Sequence, residues 1–173
     1  MSYCEFVRSG KAHPVHLHYH DHVYGLPVET DDALFERLVL EINQAGLSWE
    51  TILKKQDSFR TAYDSFAIAK VAAYGESDIA RLLADPGIIR NRLKVRAAVS
   101  NAQKILEIQA MHGSFKAWLD VHHVLPRQDK AAWVALFKKT FTFTGGEIVG
   151  EFLMSCGYLP GAHDLDCPRC PCS

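Results

Sequence analysis

The cysteines of this chain lie at its two ends, and this distribution constrains the fold more than any other feature of the sequence. Cys4 stands near the start, and the other four follow residue 155: Cys156, Cys167, Cys170 and Cys172. His163 precedes Cys167 with three residues between them. Because thiolate and imidazole groups are the ligands that zinc prefers, we expect a metal site that joins both ends of one domain.

His163 and Cys167 would supply one half of the ligand set. The other half would combine Cys4 with one of five histidines: His13, His16, His18, His20 and His22. Four N and S ligands without an open position are typical of structural zinc. A disulfide scaffold is the alternative, but the number of cysteines is odd, no apolar signal segment precedes them, and the chain is longer than small secreted scaffolds. These features favour a reducing cytoplasm.

Length and composition predict one domain. The chain has 173 residues, of which 48% are hydrophobic and 23% are charged, enough for a core of its own. We expect a single domain over 1–173, with 167–173 as a flexible tail. No apolar run approaches about 18 residues, so no membrane span is predicted. The net charge of −1 does not indicate nucleic-acid binding, but segment 86–106 has five basic residues and no acidic one. That segment predicts either a nucleic-acid contact or a solvated helix face.

Apolar residues recur at helical spacing in most of the chain, and no segment alternates as a strand does. Thr30 is expected to cap a helix that ends near Gly46, and Ser48 to cap one that runs from Trp49 towards Tyr63. Further helices are expected over 67–73, 77–84, 91–111, after 114, over 129–139 and over 145–156. The inner face of the longest one is expected to carry Ala98, Ala102, Ile105 and Leu106. The sequence therefore predicts an all-α domain.

Glu41 is a candidate for chemistry because it lies at the edge of an apolar helical stripe. It follows Leu34 by seven residues and Leu38 by three. A carboxylate at such a position either reaches water or serves a pocket as a ligand or acid–base group. Four aromatic residues lie near it or near the candidate metal ligands, and they could pack in the core or stack on a flat ligand. They are Phe6, Tyr19, Tyr24 and Trp49.

The turn at Pro86 and Gly87 leads into a basic stretch. A helix that begins after a glycine turn can present backbone N–H groups to a phosphate, and Arg90, Arg92 and Lys94 would add positive charge. The pattern alone leaves open whether this is a phosphate-binding hairpin or an ordinary junction between two helices.

Four motifs stand in a fixed order between Cys4 and Cys167. They are Tyr19-His20-Asp21 with Tyr24-Gly25 and Pro27, Leu40-Glu41 with Gln-Ala-Gly-Leu-Ser-Trp over 44–49, Gly-Ile-Ile-Arg-Asn-Arg over 87–92, and Cys156-Gly157 with His163-x3-Cys167. Together they resemble the DNA-3-methyladenine glycosylase I family, which is similar in fold to the helix-hairpin-helix DNA glycosylases. The resemblance implies a compact helical domain. It also implies a monofunctional N-glycosylase that flips 3-methyladenine out of alkylated double-stranded DNA and hydrolyses its glycosidic bond, leaving an abasic site for base-excision repair.

The resemblance assigns roles in a base pocket. Trp49 would stack on the flipped base, while Tyr19 would hydrogen-bond its edge. Glu41, in its ionised form, would accept from the exocyclic amine and stabilise positive charge as the catalytic residue. Phe6 and Tyr24 would shape the pocket, at positions where the family usually has tryptophan.

The resemblance also assigns DNA contacts to two loops. Gly46 and Leu47 would form a corner, with Leu47 as the apolar wedge that fills the gap left by the flipped nucleotide. The hairpin would grip phosphates through Gly87, Arg90, Arg92 and Lys94. Leu93 stands in the region that leads from this hairpin into the next helix, where glycine is often found in the family.

The metal ligands implied by the resemblance are Cys4, His20, His163 and Cys167, with zinc in a structural role. The spacing Cys167-x2-Cys170 leaves open that Cys170 or Cys172 replaces one ligand. A monomer without an obligate protein partner, in a bacterial cytoplasm, is implied as well. Two alternatives are a non-catalytic, zinc-stapled module that binds damaged DNA and a glycosylase with a shifted preference among alkylated purines.

Overall fold

The computed structural model describes residues 1–124 and 129–170. In these residues the chain forms helices and no strand, which confirms the all-α prediction for this part of the chain. The helices are α1 (Tyr3–Arg8), α2 (Pro14–His22), α3 (Asp31–Gln44), α4 (Trp49–Lys54), α5 (Gln56–Ala62), α6 (Ile68–Ala72), α7 (Glu76–Ala84), α8 (Arg92–His112), α9 (Phe115–Val124), α10 (Lys130–Thr140) and α11 (Gly146–Ser155), with a 3₁₀ turn at Asp64–Phe66. No helix of the described residues is both long and apolar enough to cross a membrane.

Side-chain caps fix where several helices begin. Thr30 accepts a hydrogen bond from the amide of Ala33, and Ser48 accepts one from the amide of Thr51, as the sequence predicts. Gly46 lies between them with a φ of 82°, a conformation that glycine adopts without steric cost. The chain therefore reverses sharply between α3 and α4, and we call residues 44–48 the corner.

Three local features differ from the expectations. The helix expected from Trp49 to Tyr63 is divided at Lys55, where α4 ends and α5 begins. Leu106 is 37% exposed, because it is rotated by about 100° from the buried Ile105 and leaves the inner face of α8. Helices α1 and α2 were not anticipated, although Ser2 and Glu5 form a capping box at the start of α1 that the sequence makes visible.

Helix α3 lies at the centre of the domain. It contacts α4, α6, α8, α9 and α11, and most of its residues from 34 to 43 are buried. Its first turn is fixed from outside: the Asp31 carboxylate accepts hydrogen bonds from Gln109 Nε2 at 2.7 Å and from the amides of Phe115 and Lys116 at 2.8 and 3.0 Å. These bonds anchor the start of the helix, and Glu41 lies near its other end.

The two ends of the chain meet beside α2. Ser2 donates a hydrogen bond to Asp164, and Arg8 lies 3.6 Å from Asp164 and 3.2 Å from Asp166. Cys167 and Cys170 are buried, so the described part of the expected tail packs against the domain. Residues 171–173 of that tail lie outside the described residues.

Candidate functional site

A cavity of about 430 Å³ opens beside the corner, between α1, the α2 region, α3 and α11. We call it the tyrosine pocket. Its lining residues are Tyr3, Tyr19, Tyr24, Glu41, Gln44, Trp49, Glu147 and Glu151. Aromatic rings and carboxyl groups therefore converge on one space, which suits a flat ligand that carries hydrogen-bond donors or positive charge.

The structure brings together four of the five residues expected in a base pocket. Tyr19, Tyr24, Glu41 and Trp49 line the cavity, whereas Phe6 is not among its lining residues. The Phe6 ring instead packs edge-on against His16, with ring centroids 5.3 Å apart.

Tyr3, one turn earlier on α1, lies where Phe6 was expected. Its ring stands edge-on to Tyr24 at 5.5 Å and to Tyr19 at 6.4 Å. Tyr19 in turn packs edge-on against Trp49 at 5.2 Å. These contacts hold the aromatic wall in one arrangement.

Two polar atoms of the wall are buried without a hydrogen-bond partner. They are the Tyr19 hydroxyl and Trp49 Nε1, and neither has a donor or acceptor within reach among the described residues. A buried polar group left unpaired costs about 1–3 kcal/mol, so such groups are rare in folded proteins. A ligand that hydrogen-bonds to these atoms would recover that cost.

Glu41 is 4% exposed and faces the same pocket. Burial, together with the charge of Glu151, raises the pKa of Glu41 to about 8, and Arg37 opposes the shift. In the protein alone the carboxyl is therefore mostly protonated at neutral pH, which differs from the ionised form that the resemblance implies. A cation bound beside Glu41 would lower its pKa and favour the ionised form.

Arg37 is held away from a direct ion pair with Glu41. Its Nη1 donates to the carbonyl oxygen of Ser155 at 2.9 Å, and its guanidinium carbon lies 5.8 Å from the centroid of the Tyr19 ring. The guanidinium group thus packs against the Tyr19 ring. It only partly offsets the raised pKa of Glu41.

Four lining residues were missed in the sequence: Tyr3, Gln44, Glu147 and Glu151. Gln44 follows Glu41 by three residues and so shares its helix face, a relation visible beforehand. Glu147 and Glu151 are four residues apart on α11, whose other residues are mostly apolar. Two glutamates at that spacing repel each other and destabilise a helix. Their presence on an apolar helix was therefore the sequence signal that could have marked them as site residues.

Two cysteines and two histidines form a buried group that could hold a metal ion, and we call it the Cys2His2 group. Its members are Cys4, His20, His163 and Cys167, with ligand atoms all within 4.8 Å of one another. Cys4 Sγ lies 3.2 Å from His20 Nε2 and 3.6 Å from His163 Nδ1, and Cys167 Sγ lies 3.7 Å from each of these nitrogens. Tetrahedral zinc places neighbouring S and N ligands about 3.5 Å apart, so the spacing fits.

The outer nitrogens of both histidines are also engaged. His20 Nδ1 lies 2.7 Å from the Asp21 carboxylate, and His163 Nε2 donates to the carbonyl oxygen of Tyr24 at 2.9 Å. Such partners fix the ring orientation of metal-bound histidines. The hydrogen bond from His20 also lowers the pKa of Asp21. The hydrogen bond from His163 connects the Cys2His2 group to Tyr24, which lines the tyrosine pocket.

The structure selects one of the five candidate histidines and separates the remaining cysteines from the group. His16 contacts Tyr3 and lies 3.7 Å from Glu50 instead. Cys156 is buried beside Ser155, and Cys170 is buried but is not a member of the Cys2His2 group. Cys172 lies outside the described residues.

Leu47, which the sequence predicts as a wedge, lies exposed on the corner. Leu47 is 38% exposed, and its carbonyl oxygen accepts a hydrogen bond from Gln44 Nε2 at 2.9 Å. Because Gln44 also lines the tyrosine pocket, the corner and the pocket share one side chain.

Residues 85–91, which we call the hairpin, connect α7 to α8. The amide of Gly87 donates to Asp85 Oδ1 at 2.7 Å, and a Cβ at Gly87 would come within 3.0 Å of that atom and of Ser58 Cβ. Close approach of the chain therefore favours glycine there. Arg90 and Arg92 are exposed, and in the described part of the chain neither has a carboxylate within 4.0 Å.

Lys94 is placed differently from the other basic residues expected to grip phosphates. It is 6% exposed, and its Nζ donates to the carbonyl oxygens of Asn43 at 2.8 Å and Ala45 at 2.7 Å. Burial lowers the pKa of Lys94. Its ammonium group thus binds backbone carbonyls at the corner and at the end of α3, whereas the sequence predicted a phosphate contact at the surface.

The chain is similar in sequence and in structure to known proteins. Residues 9–170 match a family model described as methyladenine glycosylase. The chain is 36% identical over 170 residues to DNA-3-methyladenine glycosylase 1 of Escherichia coli (strain K12), covering 89% of this chain and 90% of that relative. It is similar to the solved structure of 3-methyladenine DNA glycosylase I from Staphylococcus aureus, with a TM-score of 0.86, 35% identity and 98% of each chain covered.

A variant of 3-methyladenine DNA glycosylase I solved in complex with 3-methyladenine is similar to the same degree. Its TM-score is 0.85 at 35% identity, and the match covers 99% of this chain and 98% of that one.

Proposed function

The chain belongs to the methyladenine glycosylase family, and we propose on that premise that it is a DNA glycosylase that removes 3-methyladenine from alkylated DNA in base-excision repair. The observation that carries this proposal is the tyrosine pocket itself. It combines an aromatic wall, the buried carboxyl of Glu41, and two unpaired polar atoms on Tyr19 and Trp49. These features suit a flat base that has left the DNA stack.

The base would bind by stacking and by hydrogen bonds at its edge. Trp49 offers the aromatic surface, and the Tyr19 hydroxyl offers the edge contact that it lacks in the protein alone. An adenine alkylated at N3 carries positive charge, so it lowers the pKa of Glu41 when it binds. The ionised carboxylate then accepts a hydrogen bond from the exocyclic amine and stabilises the cation.

The chemical step would be hydrolysis of the glycosidic bond. A water molecule attacks C1′ of the sugar as the bond from C1′ to N9 breaks. The bonding electron pair passes to the purine, which leaves as a neutral base, and the proton of the water is released to solvent. Because the cationic base is already a good leaving group, the protein needs mainly to bind and orient it.

DNA would be held by the hairpin and the corner. We propose that α7, the hairpin and α8 act as the helix-hairpin-helix element, with exposed Arg90 and Arg92 contacting phosphates. Leu47 would enter the gap left by the flipped nucleotide. Gly46 permits the turn that presents it. Pocket, wedge and hairpin all belong to one chain, so we propose that the monomer, as a single domain, is the active unit.

We propose that the Cys2His2 group binds zinc in a structural role. The donor set and its spacing match tetrahedral zinc, and four protein ligands leave no position for substrate. Cys4 also accepts a hydrogen bond from the amide of Asp164 at 3.4 Å. Burial raises the pKa of the Cys4 thiol, and this hydrogen bond opposes the shift. Bound zinc would hold the chain ends together and, through His163 and Tyr24, steady one wall of the pocket.

The test is base release from methylated duplex DNA, with the released purines separated by chromatography. Wild-type protein should release 3-methyladenine, and Glu41→Ala should abolish release while duplex affinity stays within about twofold, since phosphate contacts dominate affinity. Glu107→Ala, a change on the surface of α8, should behave as wild type.

Other outcomes of the same test separate the alternatives. Wild-type protein that binds alkylated duplex but frees no base would be a damage-binding module. A larger yield of 3-methylguanine than of 3-methyladenine from one digest would indicate a shifted lesion preference.

A further inference from the structure

The tyrosine pocket contains a second carboxyl group that the proposed function leaves unused. Glu151 of α11 lines the pocket with Glu41, although the two residues are far apart in sequence. The Tyr24 hydroxyl donates to Glu151 Oε2 at 3.4 Å. The charge of Glu151 also raises the pKa of Glu41, so the two carboxyl groups are close enough to interact electrostatically.

The surroundings of Glu151 disfavour its negative charge. Burial raises the pKa of Glu151, and Glu147, one turn earlier on the same helix, raises it further, while Tyr24 and Lys130 oppose the shift. Lys130 pairs with Glu147 at 3.6 Å. In the described part of the chain no lysine or arginine nitrogen lies within 4.0 Å of Glu151.

Such an arrangement destabilises the protein alone. Three carboxyl groups, from Glu41, Glu147 and Glu151, line one pocket without a cation that pairs with all of them. Like charges four residues apart on a helix repel, and desolvation of Glu41 and Glu151 adds to the cost. The same pocket contains Tyr19, which is 5% exposed and whose hydroxyl has no hydrogen-bond partner among the described residues. Both observations indicate a ligand with positive charge and hydrogen-bonding groups.

We infer that Glu151 is a second lesion-binding carboxylate, which together with Glu41 makes the pocket select positively charged alkylated purines over neutral purines. This inference rests on the proposed function, and it adds a residue and a physical basis for specificity. A cationic purine favours the ionised form of both carboxyl groups and is attracted to them. A neutral purine of the same shape gains no such attraction and must still displace the water around them.

The experiment compares wild-type protein with Glu151→Gln, which keeps the shape and removes the charge. Two probes are used: methylated duplex DNA, from which release of cationic 3-methyladenine is followed under single-turnover conditions, and a duplex that contains 3-deaza-3-methyladenine, an uncharged analogue of the same shape, whose binding is measured. Glu151→Gln should slow release about tenfold or more and change the affinity for the uncharged duplex by no more than about twofold.

Control variants keep the inference testable. Glu107→Gln removes the same charge from an exposed site and should match wild type on both probes. Glu151→Asp keeps the charge and should recover part of the lost rate. A thermal melt of each variant verifies that it is folded.

The inference is overturned if Glu151→Gln releases 3-methyladenine as fast as wild type, or if it loses affinity for the uncharged duplex by the same factor as it loses rate. Failure of the proposed function would look different, because wild-type protein itself would then release no base from methylated DNA.

Discussion

The ammonium group of Lys94 lies 2.7 Å from the carbonyl oxygen of Ala45, so the helix that follows the hairpin is tied directly to the corner that carries Leu47. A second tie runs from Lys55 Nζ to the carbonyl oxygen of Pro86 at 2.9 Å. The corner and the hairpin are thus held together by hydrogen bonds from two lysines. Hydrogen bonds within the protein therefore help to fix the distance between them.

Lys94→Met is expected to weaken DNA binding without changing its salt dependence. Lys94 donates to backbone carbonyls and does not face solvent, so its loss should destabilise the protein by about 1–3 kcal/mol by leaving buried carbonyls unpaired. Arg90→Ala should instead leave stability unchanged and reduce the slope of log K against log salt by about 1. Urea unfolding and salt titrations of duplex affinity measure both effects. A reduced slope in Lys94→Met would mean that Lys94 contacts phosphate.

Tyr19→Phe is expected to stabilise the protein and slow the reaction. The Tyr19 hydroxyl is buried without a partner, so its removal should raise the free energy of unfolding by about 1 kcal/mol, while loss of the edge contact should slow base release about tenfold. Tyr63 is a matched control, because its hydroxyl is also buried and unpaired but lies in the core. Tyr63→Phe should raise stability and leave release unchanged. If both variants changed release equally, the proposed contact between the Tyr19 hydroxyl and the base would be wrong.

Leu47→Ala is expected to slow release from duplex DNA about tenfold and to leave release from methylated single strands nearly unchanged, because an unpaired base leaves no gap to fill. Leu106→Ala is the control, since Leu106 is 37% exposed and Leu47 is 38% exposed, and Leu106 lies on α8 away from the corner. Single-turnover rates on both substrates give the comparison. The wedge role is lost if Leu47→Ala slows both substrates equally.

Removal of the metal is expected to lower the melting temperature sharply. Structural zinc contributes on the order of 10 kcal/mol of apparent binding free energy, and here it would join the two ends of the chain. Cys167→Ser should lose bound zinc, whereas Cys156→Ala changes an equally buried thiol outside the Cys2His2 group and should retain it. Elemental analysis and thermal melts with and without a chelator provide the measurement. Zinc loss from Cys170→Ala would show that Cys170 takes part.

Glu41→Gln is expected to flatten the dependence of stability on pH. The pKa of Glu41 is about 8 in the folded protein against a reference value of 4.5. Between these values the folded state retains a proton that the unfolded state has lost, so the free energy of unfolding falls as pH rises from 4.5 to about 8. The glutamine variant lacks this ionisation and should lose less stability across that range. Its advantage over wild type should therefore be greatest above pH 8.

Urea unfolding at several pH values tests this expectation, with Glu107→Gln as the exposed control that keeps the wild-type slope. An unchanged slope in Glu41→Gln would mean that the carboxyl of Glu41 is ionised in the folded protein throughout.

Local features of the fold could be predicted from the sequence because they depend on neighbouring residues. Thr30 and Ser48 cap the helices that follow them, and Gly46 permits the reversal between them, through interactions within a few residues. The all-α class follows from the same local periodicity. The types of metal ligand and the motif around Glu41 could also be identified, because residue types and their order are given directly by the sequence.

Only the tertiary structure decided which residues share a site. It selected His20 among five histidines, placed Tyr3 in the pocket where Phe6 was expected, and turned Lys94 inwards to the corner. It also buried Glu41 and brought Glu151 into the same pocket, and both effects raise the pKa of Glu41. These outcomes depend on how helices distant in sequence pack together. Burial and electrostatic coupling arise from that packing. They cannot be predicted from helical periodicity, which depends only on residues near one another in the sequence.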